Sequence, residues 1–252
     1  MTIKGILFDL YGTLIDIETN ESMEEIYRAI AHYLTYQGVY LHRWEVRERY
    51  YQIMKQQKEA RGEEYPEIDV EAIWNELLMQ EGIRSAPIRG QVAKVISHIY
   101  RGISCNRLQL YPGVKQVLNE LRMSYRLALI SDAQSCFAQP EIRAVGLEGY
   151  FESTVISSHY GFRKPDSRLF QRTLGNMNLK PAEVIWVGND MFRDIYGAKL
   201  LGIKNIFIDS NQGAKSYRDV APDYRAQKFA DVLKGVAMLR QANATATINP
   251  DT

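Results

Sequence analysis

Cysteine is nearly absent. Cys105 and Cys136 are the only two in 252 residues, and their spacing matches no metal-ligand pattern. Neither a disulfide framework nor a zinc module is expected, and two free thiols in a reducing cytoplasm are. No charge of one sign dominates: Lys and Arg total 31 against 30 Asp and Glu, a net charge of +1. No strong field therefore points to nucleic acid or a membrane surface as partner. No apolar run approaches the ~18 residues of a transmembrane helix. Met1-Thr2-Ile3-Lys4 runs straight into a strand, without the charged-then-apolar pattern of a secretory signal. There is no internal repeat. These absences predict a cytoplasmic protein.

What is present suits one α/β domain, or a core with an inserted subdomain: 46% of residues are hydrophobic and 24% charged. The chain is organised around Ile6-Leu7-Phe8-Asp9-Leu10-Tyr11-Gly12-Thr13-Leu14-Ile15. Gly5 to Phe8 reads as a strand buried on both faces, followed by an aspartate and a Gly-Thr turn signal. A carboxylate at the C-terminal end of a central parallel strand sits where α/β sheets bind ligands, and can act as a nucleophile. It could equally cap the following turn.

From Asn20 to about Gly102 the pattern is helical. Ile26, Ile30, Tyr33 and Leu34 share one face of a helix over 21–37, stopped by Gly38. Val46, Tyr50, Ile53 and Met54 mark a second over 42–60. Asp69 caps a third that carries Val70, Ile73, Trp74, Leu77 and Leu78, with Gly82 at its end. A fourth carries Val92, Val95, Ile96, Ile99 and Tyr100. Four consecutive amphipathic helices predict a small bundle whose aromatic stripes are core. The loop Arg61-Gly62-Glu63-Glu64-Tyr65-Pro66 is either a specificity element or a plain linker.

After Leu110 strands and helices alternate, which predicts a parallel sheet. The strands are Arg126–Ile130, Thr154–Ile156, Glu183–Val187 and Asn205–Asp209. Polar residues stand after four strands: Asp9, Ser131, Lys164, and Asp190 with Asp194. In a parallel sheet these ends share an edge, so the groups can converge. The small, polar stretch from Gln241 to Thr252 is expected to be disordered.

Four motifs in order carry a family resemblance. Asp9-x-x-Gly12-Thr13-Leu14, Leu129-Ile130-Ser131, Arg163-Lys164-Pro165-Asp166 and Val187-Gly188-Asn189-Asp190 through Asp194 to Gly197-Ala198 are similar to the four signatures of the haloacid dehalogenase superfamily. The resemblance spans residues from about 3 to 235. It implies a three-layer, Rossmann-like α/β core of parallel strands (1–15 and 109–240). A helical cap (16–108) would close over the active site.

The resemblance also implies roles. Asp9 is the nucleophile. Backbone N–H groups after it, at Leu10 and Tyr11, with Ser131, Asp132 and Lys164, hold the transferring group. Mg²⁺ is held by Asp9, the Tyr11 carbonyl, Asp190 or Asn189, and Asp194, with Asp190 placed before Asn189. The family's phosphatases carry a second aspartate, the general acid and base, where this chain has Tyr11. Tyrosine there is the dehalogenase pattern. Against dehalogenase chemistry stand Ser131-Asp132 where those enzymes have Ser-Asn, and two carboxylates in the fourth motif where they have one. The cap also lacks their Tyr-x-Trp-Leu-Arg string, although it holds Arg43, Arg47 and Arg49. The reading is a Mg²⁺-dependent phosphatase of small phosphorylated metabolites. The alternatives are a metal-independent 2-haloacid dehalogenase, or a catalytically weak member that binds a phosphorylated ligand.

Overall fold

Successive residues of the first strand point to opposite apolar layers, which makes it the middle of a three-layer core. Ile6 and Phe8 belong to the cluster on one face of the sheet, Leu7 to the cluster on the other. Leu127 and Leu129 against Ala128 and Ile130, and Ile185 and Val187 against Val184 and Trp186, repeat the alternation. Burial on both faces is what an all-parallel sheet requires.

The computed structural model describes residues 2–245. In chain order it runs β1 (Gly5–Phe8), β2 (Ile15–Thr19), α1 (Glu24–Tyr36), α2 (Arg43–Arg61), α3 (Val70–Gln80), α4 (Ala86–Ser104) and β3 (Cys105–Leu110). Then follow α5 (Val114–Leu121), β4 (Arg126–Ser131), α6 (Ser135–Ala144), β5 (Ser153–Ile156), α7 (Ser167–Met177) and β6 (Val184–Gly188). A π-helical stretch, Met191–Tyr196, leads into the short α8 (Gly197–Lys199), and β7 (Lys204–Ile208), β8 (Tyr224–Ala226) and α9 (Val232–Thr245) close the chain. The main sheet has the order β5-β4-β1-β6-β7-β8, parallel throughout. β1 is therefore flanked by β4 and β6, and the residues after these three strands meet on one edge. No helix among the described residues is long and apolar enough to cross a membrane.

Helices α1 to α4 bury their own cluster, with Tyr50 stacked on Trp74 at 4.7 Å and Tyr100 edge-on to Tyr27 at 6.4 Å. Helix α1 starts three residues later than its hydrophobic pattern, because Ser22 donates its N–H and hydroxyl to Asn20 Oδ1 and closes a turn there. Helix α2 opens on a reciprocal cap between His42 and Glu45 and ends at Gly62, whose φ is 61°. Asp69 caps α3 by accepting from Ala72 N–H at 3.0 Å. The insertion joins the core through an antiparallel ribbon, β2 with β3, which straddles both boundaries expected from sequence. The expected disordered tail is corrected at its start: α9 carries the helix through Thr245. The remaining residues, 246–252, lie outside the described ones.

Candidate active site

Asp9 follows β1 directly, and its N–H donates to Val187 O at 2.9 Å, so the neighbouring strand fixes it on the sheet edge. The chain then turns back tightly: Leu14 and Ile15 both donate to the Leu10 carbonyl, and Gly12 donates to Ile15 O. Gly12 takes φ 86° at this turn, a conformation open to glycine. It also passes close to Asn189, whose Nδ2 would lie 2.3 Å from any Cβ at this position. The turn brings the Thr13 hydroxyl to 3.0 Å from Asp9 Oδ2 and 3.0 Å from Asn189 Oδ1. Leu10 contributes only its backbone to the loop, since its side chain is buried in the core.

Lys164 is buried beneath this turn. Its Nζ donates to Asp9 Oδ1 at 2.6 Å and Asp194 Oδ1 at 2.7 Å, and lies 5.1 Å from the centre of the Trp186 ring. Burial disfavours its charge, but Asp194, Asp9 and Asp132 outweigh that and hold the ammonium protonated. Asp194 is buried too, which pushes its carboxyl up to about 6 against the pull of Lys164. Its second oxygen accepts N–H from Asn189 and Asp190 at 2.9 and 3.0 Å. Gly188 has no Cβ because one would fall 2.5 Å from Asp194. Asp194 thus braces both the lysine and the loop after β6.

Asp190 is placed otherwise than its position in the motif suggested. Its Oδ1 accepts N–H from Phe192 and Arg193 at 2.9 and 2.8 Å. Its Oδ2 accepts from Arg193 Nε and Nη2 and from Ala214 N–H, at 3.0, 2.9 and 3.0 Å. Burial works against its ionisation, yet these bonds and the Arg193 charge keep the carboxyl below the usual range. Asp190 is a helix cap and an arginine partner, and Asn189 is the side chain that meets the Asp9–Thr13 pair.

Tyr11 is likewise committed elsewhere. Its hydroxyl makes a short hydrogen bond to Glu141 Oε2, and Glu141 accepts from Arg101 Nε at 2.6 Å and Nη2 at 3.3 Å. Burial, then Glu141, pushes the phenol well above its ordinary value. Tyr11 therefore stays protonated and links the core to helix α4, rather than standing free to move protons.

Ser131 and Asp132 complete the edge. Ser131 Oγ is buried without a hydrogen-bond partner. Asp132 Oδ1 accepts the Lys164 backbone N–H at 2.9 Å. Its Oδ2 is buried and unbonded, 3.9 Å from Arg193 Nη1. Above these groups lies a cavity of about 400 Å³ between core and insertion. Tyr11, Asp132, Asn189 and Arg193 line it from the core, and Tyr50, Glu67 and Arg101 from the insertion. Among the described residues, no three His, Cys, Asp or Glu side chains form a metal cage. A cation here would share amide, backbone or substrate oxygens.

The loop over residues 61–66 packs against the core. Arg163 N–H donates to Tyr65 O at 3.0 Å and Glu67 N–H donates to Gly161 O at 2.9 Å, beside Lys164. Arg168 pairs with Glu63, and the Tyr65 ring meets Phe192 edge-on at 5.8 Å. Glu67 accepts from Ser157 Oγ at 2.7 Å and from Ile68 N–H at 2.9 Å. Sequence reasoning did not assign roles to Thr13, Glu67, Arg101 or Glu141. Thr13 alone carried a signal, by its place in the Gly-Thr turn.

Comparison with known proteins agrees with this geometry. The family described as haloacid dehalogenase-like hydrolase matches residues 3–202. A glyceraldehyde 3-phosphate phosphatase of Pyrococcus abyssi is 33% identical over 102 residues, 40% of this chain and 43% of that one. One of Methanocaldococcus jannaschii is 25% identical over 93% of this chain and 98% of the relative. Several matches span only about half the length of the named relatives. Among solved structures, a 2-haloacid dehalogenase from Pseudomonas syringae superposes with a TM-score of 0.65 at 18% identity, covering 94% of this chain and 99% of that one, which speaks for the fold alone. With the family profile covering residues 3–202, most of its length, the chain belongs to the haloacid dehalogenase-like hydrolase family.

Proposed function

We propose that this protein is a Mg²⁺-dependent phosphohydrolase of small phosphorylated metabolites, acting through a phospho-aspartate on Asp9. The observation that carries this reading is the trio of Asp9 Oδ2, Thr13 Oγ1 and Asn189 Oδ1. Thr13 lies 3.0 Å from each of the other two, and its single hydroxyl hydrogen can serve only one of these acceptors. The other is left as a hard oxygen facing a hard oxygen, an arrangement that a cation relieves. Charge supports the same conclusion. Among the described residues Asp9 and Asp194 share Lys164, and Asp190 pairs with Arg193, so these three carboxylates outnumber their paired cations by one when all are ionised. The residues present thus fit Mg²⁺, which Asp9 and Asn189 would hold with the Tyr11 carbonyl and solvent. When bound, the ion neutralises phosphate oxygens.

The chain's own groups supply the rest. Asp9 is aimed by its N–H bond to Val187 and by Lys164, and attacks phosphorus. Ser131 Oγ, buried and unbonded beside Asp132, would donate to a substrate oxygen. Lys164 stays charged and holds the negative charge that develops. The insertion lines the far side of the cavity, the place from which a cap would shield the reaction. The phosphatase names of the relatives support a phosphate monoester as substrate. We place the protein in the cytoplasm, where Cys105 and Cys136 remain thiols.

A dehalogenase needs a cation aimed at the substrate carboxylate. The arginines singled out in the sequence do not supply one: Arg43 pairs with Glu24, Arg49 with Glu81, and Arg47 lies over Tyr27, none lining the cavity. The test is a panel of phosphorylated metabolites with and without Mg²⁺, beside 2-chloropropionate. Mg²⁺-dependent phosphate release is expected. Chloride release that survives excess chelator replaces the phosphatase reading.

A further inference from the structure

A phosphatase site of this kind needs a group that hands a proton to the leaving oxygen and later takes one from water. Tyr11, which occupies the acid's usual place, is bonded to Glu141 and held far from titrating. Most buried carboxylates around the cavity are already used. Glu141 accepts two bonds from Arg101 and one from Tyr11. Glu67 accepts from Ser157, Ile68 N–H and Gln134. Asp190 and Asp194 have both oxygens bonded. Asp132 is different: its side chain is 8% exposed, it lines the cavity, and Oδ2 is the one buried carboxylate oxygen without a hydrogen-bond partner among the described residues.

We propose that Asp132 is the general acid and base of this enzyme, in place of the carboxylate that Tyr11 has displaced. The inference rests on the phosphohydrolase reading. In the first step Asp9 bonds to phosphorus, the bond to the ester oxygen breaks, and the Asp132 proton moves to that oxygen to release the alcohol. In the second, Asp132 carboxylate takes a proton from water as the water oxygen bonds to phosphorus. The bond to Asp9 then breaks, and inorganic phosphate leaves. Asp132 ends protonated, ready for the next cycle. A carboxyl group bearing this proton also avoids the repulsion that a carboxylate would offer to phosphate.

The surroundings agree. Burial pushes the Asp132 carboxyl up, while the Lys164 charge and N–H and the Arg193 charge pull it down, and Asp194 raises it again. Glu67 on the insertion adds a further negative neighbour, itself moderated by Arg163. The Lys164 N–H on Oδ1 fixes the carboxyl, Oδ2 takes no hydrogen bond, and the residue lines the cavity.

Asp132→Asn keeps an acceptor for the Lys164 N–H and removes the proton. The expected result is a fall of ~10²–10⁴ in kcat/KM for an alkyl phosphate, whose leaving group needs the proton. For p-nitrophenyl phosphate the first-turnover burst of nitrophenolate should persist within about tenfold, with slower steady-state release as the phospho-enzyme accumulates. In wild type, kcat/KM for the alkyl substrate should fall on the alkaline side, and the variant should lose that limb. The wild-type limb is read on the unaltered protein, so its absence overturns the proposal even if the variant folds poorly. An equal fall in both substrates before steady state, no fall in either, or a profile that Asp132→Asn leaves unchanged overturns the proposal. If wild type hydrolyses neither phosphate, the phosphohydrolase reading itself has failed and takes this proposal with it.

Discussion

Lys164 Nζ lies 2.6 Å from Asp9 Oδ1, and both side chains are nearly closed off from solvent. The same ammonium reaches Asp194 Oδ1 at 2.7 Å. One cation thus sets the position of the carboxylate proposed to attack and of the residue that braces the β6 loop. Asp9 is held in place without substrate, and on the proposed reading that orientation lowers the barrier to attack.

Asp9→Asn should abolish turnover, because an amide cannot attack phosphorus. Lys164 keeps Asp194 as partner, so the fold should survive. Circular dichroism should match wild type, and activity should fall at least about a hundredfold. Higher residual activity removes Asp9 from the nucleophile's role.

Gly12→Ala joins two faults. At φ 86° a side chain is strained, which costs about 1–3 kcal/mol. Its Cβ would also fall 2.3 Å from Asn189 Nδ2 and push the carboxamide away from Thr13. A lower melting temperature and Mg²⁺ binding weakened about 10–100-fold, by calorimetry, are expected. Unchanged Mg²⁺ affinity in a folded variant would take Asn189 out of the cation site.

The Tyr11–Glu141–Arg101 chain joins core to insertion, and its two charges are largely buried, at 8% and 15% exposure for Glu141 and Arg101. Arg101→Met leaves the Glu141 charge buried alone and should cost about 3–5 kcal/mol in a urea melt. Arg101→Met with Glu141→Gln should recover most of that loss. Tyr11→Phe should cost only about 1 kcal/mol and change activity little. A large rate loss in Tyr11→Phe without loss of stability would return Tyr11 to the catalytic set.

Glu67 gives a pH signature. Burial raises its carboxyl above the ordinary 4.5, against the bonds from Ser157 and Ile68 N–H. The folded chain therefore holds a proton that the unfolded chain has released, and stability drains away as pH rises from about 4.5 through the raised value. Glu67→Gln lacks that loss. The melting temperature of the variant minus that of wild type should grow between pH 4 and pH 7. A constant difference would mean that Glu67 is not titrating in this window.

Sequence by itself determined the frame. Runs such as Gly5–Phe8 and Val184–Val187 are apolar at every position, which only strands covered on both faces need, and alternation with helices made the sheet parallel. The residue after each strand then had to lie on one edge, which placed Asp9, Ser131 and the Asn189–Asp190 pair together before any coordinates. The four helices of the insertion were legible for the same reason: helical periodicity records burial on one face. The ribbon of β2 and β3 was not legible, because half-buried strands such as Ile15–Thr19 carry a weak pattern. Only the tertiary structure decided where polar side chains turn. It gave Asp190 to Arg193 and Tyr11 to Glu141, and set Asn189 against Thr13 and Asp132 in the lining of the cavity. It also set the loop over 61–66 against Gly161 and Arg163. The physical reason is range: hydrophobic period is a local property of the chain, whereas a polar group takes its partner from whatever the fold brings near. Partners such as Tyr11 and Glu141 stand 130 residues apart in sequence.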